Sequence, residues 1–301
     1  MYISLAISAL YDIYTVLLTE ANLISKGGKK CQIILKKVAM LARNLLSKIC
    51  ANLIEFLKKI ILSEAFLSSH RRSPKDFVRE RLLPFHNMIF FLMNMIKGSL
   101  QDELDYFFKA IHAEDVSIRT VTKSAFSKAR KKLHHRAFIE LGRNLVSFFY
   151  DHFPCRKWKG FRILAIDGST AKVPRTKDVA DHFGAWNPAK GEACPIARIS
   201  NLFDPLNGIV VDAVIRPKVR GERALAAEHA DHLKANDLVL LDRGYPAFWL
   251  FVLILSRQAQ FCARVKTNWT EVRKFYNSGK KEGIITLHPS LPSIEQCNHL
   301  N

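Results

Sequence analysis

The sequence predicts an α/β domain built on a mixed sheet, preceded by an all-α N-terminal region. Three observations carry that reading. Apolar residues recur at helical spacing through the first half of the chain, and short β-type runs take over from Arg162. Those runs and the helical patterns between them follow the order β-β-β-α-β-α-β. Two of the runs, L-A-I-D-G-S-T over 164–170 and L-V-L-L-D-R-G-Y over 238–245, close on an aspartate.

The N-terminal half comes first. Residues 1–70 form a basic helical segment, with helical spacing over Ile33–Leu62 and polar positions held by Lys29, Lys30, Lys36, Lys37, Arg43, Lys48, Lys58 and Lys59. Such a face suits a membrane surface, nucleic acid or plain solvent. His70-Arg71-Arg72-Ser73-Pro74 is a breaker cluster and marks a boundary. Residues 71–155 are helical again, a region of DNA-binding type. Within 115–133, Ser117 is placed to cap one short helix and Thr122 a second, which carries Lys123, Lys128, Arg130, Lys131 and Lys132. Two short helices with a basic second one suit docking on DNA; a basic outer face on a helical bundle gives the same pattern.

The third region, 156–301, holds the sheet. Arg162–Asp167 is its first strand. Ile196–Phe203 and Ile209–Ile215 are the second and third, joined as a hairpin by Asp204-Pro205-Leu206-Asn207-Gly208. Glu222–Leu233 is a helix with Ala226, Ala230 and Leu233 on one face. Asp237–Leu241 is the fourth strand, Pro246 opens a helix over Ala247–Gln258, and Gln260–Lys266 is the fifth strand.

Composition bounds the function classes. The chain has 301 residues, is 49% hydrophobic and 24% charged, and carries a formal net charge of +19, which describes a folded protein with a polyanionic partner. The six cysteines, Cys31, Cys50, Cys155, Cys194, Cys262 and Cys297, form no C-x-x-C pair, which argues against a zinc finger or a disulfide scaffold and for free thiols in a reducing cytoplasm. Met1–Leu18 lacks a basic n-region and is interrupted by Asp12. Leu82–Ile96 is broken by Pro84, His86, Asn87 and Asn94, and Ala247–Leu255 is too short to span a bilayer. The expectation is therefore no membrane partner.

An ionised carboxylate at the end of a buried strand is costly without compensation. If the helix after the third strand crosses over to lay the fourth beside the first and parallel to it, Asp167 and Asp242 become neighbours at strand carboxyl ends. Two such carboxylates repel unless a cation bridges them, and magnesium accepts one or two carboxylates together with a substrate phosphate. A turn aspartate before glycine is the plainer reading of each taken alone.

Four motifs together carry a family resemblance. A-I-D-G-S-T at 165–170, A-R-I-S at 197–200, Gly221-Glu222-Arg223…His229, and L-L-D-R-G-Y-P at 240–246 resemble bacterial insertion-sequence DDE transposases of the IS-four type. Residues 75–145 resemble the helical region that precedes the catalytic core in those proteins, so the likeness covers roughly residues 75–301. It implies a ribonuclease H-like fold and DNA transposition by metal-dependent strand cleavage and strand transfer. Asp167 and Asp242 would be the first two acids of the triad, both catalytic and metal-holding, around a two-metal site of Mg²⁺ or Mn²⁺. The implied partners are double-stranded DNA, as the inverted-repeat ends of the element and as target, and a second copy of the chain in a homodimer. The implied setting is the bacterial cytoplasm, at the nucleoid. Arg243 and Tyr245 follow the second aspartate and could steer DNA phosphate; Arg243 equally suits a surface ion pair.

The family's third acid is a glutamate on a late helix, within Tyr-x-x-Arg-x-x-x-Glu-x-x-x-x-x-x-Lys. No such pattern follows Asp242, and the downstream glutamates Glu271, Glu282 and Glu295 have the wrong surroundings, Glu295 in a proline-bounded loop. The expectation is a C-terminally truncated, inactive transposase remnant with no third catalytic glutamate and no closing helix. The alternative is a non-catalytic DNA-binding protein that inhibits full-length transposase.

Overall fold

The computed structural model describes residues 49–79, 82–94, 98–186 and 192–298. Most of the basic N-terminal segment, with Cys31 and the apolar run from Met1, lies outside them. The chain divides into two compact units, 1–154 and 155–301.

The first unit is helical where described. Residues 49–61 are helical and bury Leu53, Leu57 and Ile61, one residue per turn, while Lys58 and Lys59 face outward. Helices α1 (Glu64–His70), α2 (Phe85–Met93), α3 (Leu100–His112), α4 (Lys123–Arg130) and α5 (Arg136–His152) follow. Side-chain caps set three of their starts. Ser63, Ser99 and Thr122 accept from the backbone N–H of Phe66, Asp102 and Ala125. Helix α2 serves two apolar clusters. Phe85 and Ile89 pack with Leu57, Ile61, Phe66, Leu141 and Leu145, whereas Met88 and Phe91 pack with Leu104, Phe108, Val121 and Phe126. The short helix expected from Ser117 does not form, since residues 114–122 contain no helix. Val116 and Ile118 are exposed and bury no apolar stripe, so a cap signal there had nothing to stabilise.

The second unit holds the sheet. Strand β1 (Arg162–Lys172) is followed by α6 (Lys177–Phe183), the short β2 (Ala185–Trp186), β3 (Cys194–Asp204) and β4 (Ile209–Pro217). Helix α7 (Glu222–Glu228) runs into a 3-10 turn, His229–His232, and then come β5 (Asp237–Leu241), α8 (Phe248–Ser256), β6 (Gln260–Ala263), α9 (Thr270–Asn277) and α10 (Leu291–Asn298). The order through the sheet is β3-β1-β5-β6, with β2 and β4 also pairing with β3. The β1–β3 and β3–β4 pairs are antiparallel; β5 lies parallel to β1 and β6 parallel to β5. This is the mixed ribonuclease H-like arrangement, reached by the crossover through α7.

The hairpin turn is locked by side chains. Asp204 Oδ1 accepts from the N–H groups of Leu206 and Asn207, Asn207 Nδ2 donates to Asp204 Oδ2, and Gly208 takes φ 67° to close the loop. A bulge between Leu202 and Phe203 bends the β3–β4 ribbon. At the entrance to β1 and β5, Arg162 Nε and Nη2 donate to Asp237 Oδ1 and Oδ2 at 2.7 and 2.6 Å, across directly paired residues. Asp237 also accepts from the Lys234 N–H, so its buried charge is fully engaged.

Several elements differ from the sequence reading: α9 is not foreseen there, and β6 ends at Ala263 rather than Lys266 because its pairing partner β5 ends at Leu241. Strand β1 runs five residues past Asp167, because β3 continues to pair with it through Lys172 after β5 has ended. Helix α6 and strand β2 carry no buried apolar stripe and leave no periodic signal. Helix α10 places Glu295 on a helix, in contact with α8, where a loop and no closing helix are expected from the sequence.

Candidate active site

The parallel register of β1 and β5 builds the site. Their last paired residues are Ile166 and Leu241, so Asp167 and Asp242 are the next residue on each strand. Neighbouring strands lie about 4.8 Å apart, which sets the two aspartates side by side at the carboxyl end of β5. Both are exposed, whereas Leu164, Ile166, Val239 and Leu241 beneath them are buried. The apolar runs thus anchor the strands and leave the carboxylates facing water. Asp167 Oδ1 accepts from the Gly168 N–H at 2.8 Å, and Asp242 Oδ1 meets Arg264 Nη1 at 3.2 Å across exposed surface.

Helix α7 enters the same place, and the sequence does not foretell it. Glu222 Oε1 pairs with Arg198 Nη1 of β3 at 2.8 Å. The Glu222 side chain also lies against two glycine backbones. A methyl group on Gly168 would meet Glu222 Cγ at 3.7 Å, and one on Gly244 would meet Glu222 Oε2 at 3.4 Å. Next to it, Arg223 Nε donates to the Gly244 carbonyl at 3.1 Å. Helix α7 therefore touches the residue after Asp167 and the turn after Asp242.

Tyr245 fills the space between. Its ring is buried, and its Oη would sit 3.1 Å from a Cβ at Gly168. Burial pushes the Tyr245 phenol up to about 12, with the charges of Glu222, Asp167 and Asp242 adding to it and Arg198 opposing. It stays a neutral O–H donor at any physiological pH. Arg243 is exposed beside this turn.

A second polar group lies deeper. Ser200 Oγ and His229 Nε2 are 3.0 Å apart, His229 Nδ1 and Asp212 Oδ2 2.6 Å, and His232 Nε2 lies 3.5 Å from Asp212 Oδ1. The geometry is that of a Ser-His-Asp relay, but Ser200 is 2% exposed and no substrate reaches its hydroxyl. Burial works to raise the Asp212 carboxyl, and the His229 hydrogen bond with the His232 and His229 charges outweighs it, leaving the pKa below the ordinary value.

Apart from Arg243, the basic residues expected to meet DNA lie in the first unit. Lys123, Lys128, Arg130 and Lys131 are exposed on or just after α4, whose Phe126 faces the core. Lys132 is exposed as well and pairs with Asp76 at 3.4 Å. Neither Glu271 on α9 nor Glu295 on α10 joins the aspartates, because no group of three potential metal ligands forms among the described residues. No helix of the described residues is long and apolar enough to cross a membrane.

Comparison with curated proteins returns no match. The family model of the transposase DDE domain matches residues 158–296, nearly the whole second unit, with both aspartate motifs and the G-E-R helix inside it. Two aspartates brought together by parallel strands on this mixed sheet accord with that match, and residues 158–296 of this chain are a transposase DDE domain.

Proposed function

We propose that the chain is a DNA transposase polypeptide of the IS-four type, which binds the ends of its insertion sequence and takes part in metal-dependent strand cleavage and strand transfer. The observation that supports it most is the β1–β5 register, which leaves Asp167 and Asp242 as adjacent exposed carboxylates. Transposase DDE domains work with divalent metal ions. The donor chemistry here fits one: two hard carboxylate oxygen donors on adjacent backbones, open to solvent, the set that Mg²⁺ or Mn²⁺ accepts alongside phosphate oxygens. Held by Asp167 and Asp242, a divalent ion would lower the pKa of an attacking hydroxyl and offset charge on the leaving oxygen.

The protein's own residues supply the frame. Asp167 and Asp242 would hold the ion. Arg243 stands beside the second aspartate to meet a phosphate. Lys123, Lys128, Arg130, Lys131 and Lys132 supply sequence-independent affinity for duplex DNA, consistent with the net charge of +19. The setting is the bacterial cytoplasm, and the partners are element ends, target DNA and a second copy of the chain.

The test is cleavage and joining of labelled DNA bearing the element ends, with Mg²⁺ or Mn²⁺, by the full chain and by D167N and D242N. Loss of product in both variants, with DNA binding retained, supports the reading; unchanged product in either variant overturns it. A second reading keeps DNA binding and drops catalysis, with the chain acting as an inhibitor of full-length transposase. It is favoured by one observation, that no third acid joins the aspartates among the described residues. Tight DNA binding without metal-dependent product, together with suppression of an active transposase, would select it.

A further inference from the structure

Asp167 has a polar neighbour on the flank away from Asp242. In the antiparallel β1–β3 register it pairs directly with Asn201 of β3. Directly opposed residues point to the same sheet face, with Cβ atoms about 4.5–5.5 Å apart. Asp242 stands at the same level on the other flank, one residue past the last β1–β5 pair. Asn201, Asp167 and Asp242 are thus one row of positions across three adjacent strands, β3, β1 and β5, with Asp167 in the middle.

Asn201 is half-buried, and its Oδ1 is fully buried with no hydrogen-bond partner. Nearly all buried acceptors in folded proteins are bonded, and one that is not calls for a water or an ion to offset its desolvation. Its neighbours in the sheet do not supply a donor. Its partner on β4 is Ala213, whose methyl has nothing to give. Its partner on β1 is Asp167, an acceptor when ionised, which already takes a bond from the Gly168 N–H. Two oxygen acceptors side by side, one charged and one neutral, suit a cation between them. Amide and carboxylate oxygens are both hard donors, and an asparagine joins an aspartate in holding Mg²⁺ in protein kinases. No third acid, histidine or cysteine gathers with the aspartates among the described residues, so the further oxygen in the row is a neutral one.

We propose that Asn201 Oδ1 is a third oxygen ligand of this site, holding a divalent cation together with Asp167 on the side of Asp167 that faces β3. The inference rests on the reading of Asp167 and Asp242 as metal-holding residues. It makes Asp167 the shared ligand of the row, with a cation on either flank within its reach. Paired catalytic metal ions lie about 3.5–4 Å apart, a separation that fits strands spaced about 4.8 Å apart. The amide adds an oxygen to the pair of acids without adding a negative charge.

The experiment is direct binding of Mn²⁺ to the full-length chain, read from the loss of the free-ion electron paramagnetic resonance signal, with a thermal melt of every variant. D167N and D242N test the site itself: if neither lowers Mn²⁺ affinity, the metal-site reading fails, and this inference fails with it. An effect of D242N without one of D167N overturns the inference alone, since it needs Asp167. If D167N lowers affinity, N201A tests the amide. Its loss is expected to weaken Mn²⁺ binding by about tenfold, the low end of what groups around a bound metal contribute. Unchanged affinity in N201A overturns the proposal and leaves the two-aspartate site standing. N201D separates a ligand from a hydrogen-bond donor, because it keeps an oxygen and drops the amide N–H groups. A ligand role predicts affinity equal to or above that of the unsubstituted chain. Affinity as low as in N201A overturns the proposal, the amide then acting as a donor to Asp167. Should N201D lose its melting transition, the unsubstituted chain decides. With asparagine labelled by ¹³C at Cγ, bound Mn²⁺ is expected to show an electron–nuclear coupling that is missing in N201A; no such coupling overturns the assignment.

Discussion

The Arg162–Asp237 pair is the point at which the sheet can be tested most sharply. Asp237 is 2% exposed at its side chain and Arg162 12%, and the two meet through two hydrogen bonds of 2.6–2.7 Å. Asp237→Ala leaves the guanidinium buried beside the His232 carbonyl and strips the acceptor from the Lys234 N–H. Breaking a buried pair from one side costs about 3–5 kcal/mol, much more than the net worth of the intact pair. For a unit of this size that is a fall in Tm of roughly 6–20 °C. All four tryptophans, Trp158, Trp186, Trp249 and Trp269, lie in the second unit, so tryptophan fluorescence follows its melting without interference from the helical unit. The double variant R162M/D237L removes both charges and should recover most of the loss. A D237A shift below about 2 °C, or a double variant no better than the single, would refute the reasoning that this is a buried pair whose partners depend on each other.

Other expectations follow from the same geometry. Gly168→Ala places a methyl 3.1 Å from Tyr245 Oη and 3.4 Å from the Ile199 carbonyl, so it should cost about 1–3 kcal/mol in a denaturant titration, and Y245F in the same chain should return part of it. The Asp212 carboxyl is held below its ordinary pKa, so its contribution to stability is present above about pH 4 and is lost as pH falls through the depressed folded value. D212N should flatten the acid limb of a pH–stability profile, and an unchanged limb counts against the His229 contact. Phe126→Ala opens a cavity under α4 and should destabilise the helical unit by about 3–5 kcal/mol, read by far-ultraviolet circular dichroism. Replacing Lys123, Lys128 and Arg130 with alanine should weaken binding to any duplex and lower the slope of log K against log salt by about 0.9 for each phosphate no longer neutralised; an unchanged slope would remove α4 from the DNA interface.

The strand order, the hairpin at 204–208 and the two neighbouring aspartates are legible in the sequence, because each is written locally. Turn residues, apolar runs and a lone acid closing a run are all short-range signals. What is not legible depends on partners distant in the chain. The apolar run of β1 stops at Asp167, yet the strand goes on, because Ser169, Thr170 and Lys172 need no burial while β3 supplies their hydrogen bonds. Glu222 belongs to the Gly221-Glu222-Arg223 motif, but its spacing shows only an acid in the first turn of a helix, favourable to the dipole. Its contact with Arg198 and with two glycine backbones exists only after β3, β1 and β5 are in register. Helix α10 is hidden because Pro289 and Pro292 open a stretch that buries no apolar stripe; Pro292 in fact sits in its first turn, where a missing N–H costs nothing.

The placement of α7 ties these observations into one argument about precision. Under the proposed function the oxygens of Asp167 and Asp242 would have to be fixed to within about 0.5 Å, and as exposed side chains they have no packing of their own to do it. Here the constraint is imposed on the backbones around them. The first turn of α7 is held by Glu222 on Arg198 and by Arg223 on the Gly244 carbonyl. Its far end is held by His229, which bridges Ser200 on β3 and Asp212 on β4, and the His232 carbonyl that follows accepts from Arg162 on β1. Each of these contacts is a directional hydrogen bond or ion pair. The Ser200-His229-Asp212 chain has no substrate access; its directional bonds fix the end of α7 on β3 and β4, and with it the helix whose first turn brings Glu222 to Arg198.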